Sequence, residues 1–78
     1  MPPESTLSSL GRDGTAVISA LNTGGAMRRR LMDLGFIPGA RVTALFRGLS
    51  GGPTAYLVCG TVIALRERDA ATIKIVTA

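Results

Sequence analysis

Apolar and polar positions alternate with a period of two in five places along the chain and with a helical period in one. Thr15 to Leu21 is the first strand expected, with Val17, Ser19 and Leu21 on one face and Ala16, Ile18 and Ala20 on the other. Ala40 to Arg47 is the second, with Val42, Ala44 and Phe46 turned one way and Arg41, Thr43, Leu45 and Arg47 the other. Ala55 to Cys59 and Thr61 to Arg66 make a third and a fourth, with Gly60 placed for a tight turn or bulge between them. Thr72 to Val76 closes the series, with Ile73 and Ile75 inward and Lys74 outward.

The helical segment is Ala26 to Leu34. Met27, Leu31 and Leu34 recur at i, i+4 and i+7 and predict its buried stripe. Asn22 or Thr23 is placed to cap it. Gly35 then supplies a left-handed residue and Phe36 the apolar contact of a Schellman ending. Gly11-Arg12-Asp13-Gly14 and Ile37-Pro38-Gly39 are turns, and Glu67 to Ala71 is one helical turn. Residues 1–6 are expected as a flexible end and residues 7–78 as a single domain. Five short strands with one helix after the first predict a mainly β fold, a small and partly open five-stranded barrel.

Composition narrows the chemistry. The chain has 78 residues, which is one small domain, and 46% of them are apolar. In so short a chain most apolar residues are needed for the core, leaving little for an elaborate active site. With no His, a Ser-His-Asp or Cys-His catalytic set has no base. One thiol and five acids do not make a structural zinc site. These counts predict no enzyme, no cofactor and no resident metal. Cys59, lone and in an apolar run, is expected as core filler in a reduced, cytoplasmic protein. The first residues lack a secretory pattern. The 18 uncharged residues from Gly48 to Leu65 read as a loop and two strands, not as a membrane span.

Nine Lys and Arg against five Asp and Glu give a net charge of +4. Arg28-Arg29-Arg30 is the densest cluster. Three successive helical residues fan over about 200°, so they cannot all face one ligand. Their plain reading is a solvated basic face. The functional one is a docking patch for an acidic partner surface or for anionic lipid headgroups, which Arg66 and Arg68 would extend. Met32, off the stripe, is a candidate contact. Asp33 is placed for a local pair with Arg29 or Arg30. The loop holding Gly51, Gly52 and Pro53 is either a plain hairpin loop or a recognition loop; without a Gly-Lys-Ser/Thr it is no phosphate-binding loop.

The run Gly24-Gly25-Ala26-Met27-Arg28-Arg29-Arg30-Leu31-Met32-Asp33-Leu34-Gly35-Phe36-Ile37-Pro38-Gly39 resembles the signature of the FeoA family. Gly52-Pro53 stands near that family's Gly-Asp-Pro loop. Cys59-Gly60-Thr61-Val62-Ile63-Ala64-Leu65-Arg66 resembles its Gly-x-x-x-Ala-Leu-Arg strand, and Glu67-Arg68-Asp69-Ala70 and Ile73-Lys74-Ile75 follow in order. Gly52 in place of the loop Asp, and Cys59 where a polar residue is common, are the departures. The resemblance implies an SH3-like barrel and a bacterial, cytoplasmic accessory protein of ferrous iron uptake. Its implied partner is FeoB, a membrane transporter with a cytoplasmic GTPase domain, and it implies no membrane insertion. The same domain type ends iron-dependent repressors, behind a winged helix and a dimerisation domain for which this chain has no room, so the stand-alone form is expected. The other function class that the charge suggests is a small basic barrel that binds nucleic acid. Only Tyr56, Phe36 and Phe46 could stack on bases, and two of them are expected in the core.

Overall fold

The strands are laid down in the order that the alternation predicts, but two of them change face part-way. The structure, a computed structural model, describes residues 5–48 and 52–77. Its strands are β1 (Ser5–Thr6), β2 (Thr15–Leu21), β3 (Arg41–Arg47), β4 (Thr54–Val58), β5 (Thr61–Leu65) and β6 (Ile73–Thr77). They form one six-stranded antiparallel sheet in the order β1-β6-β2-β3-β4-β5. The sheet therefore has six strands where five were expected. The extra one, β1, comes from within the segment read as a flexible end: Ser5 pairs with Ile75 and Thr6 with Lys74. A 3-10 turn, Leu7–Ser9, follows it and seals one side of the core with the fully buried Leu7.

Two bulges decide which side chains are inside. In β2 the register against β6 shifts between Ile18 and Ala20. Ser19 is the extra residue, so Leu21 crosses from the face of Val17 to the face of Ala16 and Ile18 and is buried with them. In β3 the register against β4 shifts between Ala44 and Phe46. Val42 and Ala44 are buried opposite Val58 and Tyr56 as expected, but the bulge at Leu45 turns Phe46 outward, and it is 58% exposed. The core is closed by Phe36, Leu31, Ile73 and Ile75. Phe36 and Tyr56 are thus the two buried aromatics.

Two helices close the ends. α1 spans Gly25–Asp33. Its N-cap is Gly24, with no side-chain cap; Thr23, a predicted cap, instead bonds the Thr72 hydroxyl just before β6. Its C-terminus is the predicted Schellman ending. The Phe36 amide donates to the Leu31 carbonyl at 3.0 Å and the Gly35 amide to Met32 at 3.0 Å, with Gly35 at φ +113°. A turn follows in which Ala40 donates to the Ile37 carbonyl and Gly39 carries φ +91°. α2 is the single turn Glu67–Ala70, held to the core by Ala70.

Candidate partner-binding groove

The helix stripe does not bury as its spacing predicts. Leu31 is buried, but Met27 is 39% and Leu34 40% exposed. α1 is anchored at Leu31, with Met32 half-buried against the core, so its flanks stand clear of the sheet. On one flank this leaves a groove of about 410 Å³ between α1, β5 and α2. Met27, Leu31, Leu34, Ile63 and Leu65 supply its apolar lining, and Arg30, Arg66, Arg68 and Asp69 its polar lining. Arg66 and Arg68 thus do meet the basic cluster of α1, but only through Arg30.

Arg28 and Arg29 lie round the helix, as the fan of successive residues requires. They line a separate hollow with Gly25, Met32 and Asp33. Gly52 lines a third, small hollow with Ser8, Arg47, Thr54, Tyr56 and Glu67. Pro53 is exposed, and its carbonyl accepts from the Gly48 amide at 2.8 Å. Gly51 lies outside the described residues. The eight candidate positions among the described residues therefore fall into separate places, and the groove draws on Arg30, Arg66 and Arg68.

The alternation concealed the apolar lining of this groove, because Met27 and Leu34 read as core. A further hollow of about 310 Å³ has Phe46, Arg12 and Arg47 among its lining, and the β3 bulge is what turns Phe46 outward there.

Cys59 is not core filler; it is exposed. It is the first residue of a two-residue loop between Val58 and Thr61, at φ +49° with Gly60 at +75°. That is the mirror-image turn that suits the strand twist, and its first residue projects past the sheet. The thiol donates only to the Gly35 carbonyl, at 3.7 Å. Among the described residues no three His, Cys, Asp or Glu side chains cluster as metal ligands. No helix there is long and apolar enough to cross a membrane.

Tyr56 is shifted by its surroundings. Burial pushes the phenol above its usual 10.0, partly offset by a Thr54 hydrogen bond and Arg47, with Glu67 adding to the rise. Its hydroxyl donates to the Leu7 carbonyl at 3.4 Å, a structural role that ties β4 to the 3-10 turn.

A model of the FeoA domain matches residues 5–77. The chain belongs to the FeoA family. It is 30% identical to the FeoA protein of Chlorobium tepidum over 92% of this chain and 69% of that one, with a TM-score of 0.87. It is 32% identical to Stenotrophomonas maltophilia FeoA, solved with zinc and described as an SH3-domain protein, over 90% of this chain and 87% of that one, with a TM-score of 0.81. No curated protein matches the chain. A manganese-dependent transcriptional repressor shares the fold, at 19% identity and a TM-score of 0.87; this chain covers 44% of it. The barrel is therefore SH3-like, in a family of small accessory domains associated with ferrous iron transport.

Proposed function

We propose that this FeoA-family protein is a non-catalytic, cytoplasmic accessory protein that docks on the ferrous iron transporter FeoB and modulates its transport or GTP hydrolysis. Family membership supports the setting. The S. maltophilia relative is itself put forward as an activating factor of bacterial ferrous iron transport. The observation that carries the docking is the groove, where Arg30, Arg66 and Arg68 surround an apolar lining. Guanidinium groups beside exposed apolar surface that a partner can desolvate form the kind of patch that anchors protein partners. Modulation follows if the groove binds one nucleotide state of the transporter more tightly than the other, since an equilibrium shifts only by that difference. The nucleic-acid alternative has less support: Phe46 alone of the three aromatics is exposed, so there is no succession of stacking platforms.

The test is a titration against FeoB in nanodiscs, with GDP and with a non-hydrolysable GTP analogue. The expected result is saturable, nucleotide-dependent binding that an Arg30→Glu/Arg66→Glu/Arg68→Glu variant weakens by about tenfold or more. Absence of binding in both nucleotide states overturns the reading. Binding that survives the triple variant moves the contact away from the groove.

A further inference from the structure

One wall of the groove is an open sheet edge. Among the described residues, β5 is the last strand of the sheet and pairs on one side only, with β4. The two-residue loop at Cys59-Gly60 makes Val58 and Thr61 a mutually hydrogen-bonded pair. Antiparallel parity then turns the backbone groups of Thr61, Ile63 and Leu65 toward β4, and those of Val62 and Ala64 outward. Both outward residues are exposed, Val62 by 58%.

This edge also lacks the usual protection. Natural edges carry Lys, Pro or an inward charge that discourages a further strand. Thr61-Val62-Ile63-Ala64-Leu65 has none, and the charges begin only at Arg66. Beside the edge, α1 leaves the groove of about 410 Å³, whose charged lining is Arg30, Arg66 and Arg68 against the single acid Asp69, a net positive set.

We propose that the outer edge of β5 accepts an extended segment of an acidic protein partner as a seventh strand. This rests on the docking reading above and specifies its mode. The partner's backbone bonds the N–H and C=O groups of Val62 and Ala64. Its alternate side chains, apolar ones, enter the groove over Met27, Leu34 and Ile63, and its acidic residues meet the three arginines. Charge selects this occupant over a second copy of the chain, whose own edge strand offers no acid to those arginines.

The test is amide hydrogen exchange read by NMR on the ¹⁵N-labelled protein, free and bound to FeoB in nanodiscs. The Val62 and Ala64 amides are expected to slow about tenfold or more on binding, whereas Ile63, already paired with Tyr56, changes little. Val62→Pro removes an outward donor and no bond of the existing ladder. It is expected to weaken binding about tenfold, with Val62→Thr as the control that binds like wild type. If Val62→Pro fails to fold, the exchange of Ala64 in the wild-type protein decides alone. Docking without protection of Val62 and Ala64 overturns the strand addition and leaves the docking in place. No docking in either nucleotide state overturns both. A concentration-dependent dimer of the protein alone, abolished by Val62→Pro, assigns the edge to self-association and overturns the acidic partner.

Discussion

A Cβ on Gly35 would lie 3.0 Å from the Sγ of Cys59 and 3.2 Å from its Cβ. The helix end and the β4–β5 turn are thus in contact through a glycine that is also left-handed, at φ +113°. Gly35→Ala meets both penalties. It is expected to cost about 2 kcal/mol or more in urea denaturation. Cys59→Gly in the same chain relieves the crowding but not the backbone strain, so the double variant recovers only part of the loss. Because Cys59 is itself left-handed, at φ +49°, the comparison is made against Cys59→Gly alone: no cost of Gly35→Ala in that background would show that crowding alone sets the requirement for glycine.

The exposed flanks of α1 separate anchoring from spacing. Leu31→Ala removes a fully buried side chain and is expected to cost roughly 2–5 kcal/mol. Met27→Ala and Leu34→Ala are expected to cost under about 1 kcal/mol each, although all three share one stripe. Equal costs in denaturation would mean that the groove closes in solution.

The raised phenol of Tyr56 gives a sign for alkaline stability. Its folded pKa lies above the unfolded 10.0. Below pH 10 both states hold the proton and the contribution is complete. As pH rises through 10 and then the folded value, the unfolded chain releases its proton first and stability falls. Thermal melts from pH 9 to 12 should show this loss, and Tyr56→Phe should flatten it. Tyr56 is the only tyrosine, so phenolate absorbance should rise at higher pH in the folded protein than in the urea-unfolded chain.

Ser19, the extra residue of the β2 bulge, has a buried hydroxyl with no hydrogen-bond partner among the described residues. Ser19→Ala removes that unmet demand and keeps the bulge. The expected change is between zero and about 1 kcal/mol of added stability by denaturation. A clear loss would mean that the hydroxyl is satisfied in solution by water.

Local features were legible in the sequence because their causes are local. Gly35-Phe36 and Pro38-Gly39 each carry their own geometry, and the structure shows both turns. The bulges were not legible. Whether Leu21 and Phe46 face in or out depends on how β2 meets β6 and β3 meets β4, and nothing within either strand states it. The groove stands between these cases. Helical geometry already kept Arg28, Arg29 and Arg30 from sharing one ligand, but it did not say which of them falls where. That Arg30 lines one groove with Arg66 and Arg68 depends on long-range packing, and the exposure of Met27 and Leu34 follows from how α1 sits against the sheet. Cys59 misled because an apolar run suggests burial, while the turn that ends the run sets the direction of the side chain.

The pairing of β1 with β6 has an architectural consequence. Ser5 lies across from Ile75, so the polypeptide enters and leaves the barrel side by side on neighbouring strands. A unit with adjacent entry and exit can be spliced into a longer polypeptide at one point of attachment without prising the barrel open. The same property suits it to circular permutation, with a short linker joining the two ends and new ends cut at an exposed turn.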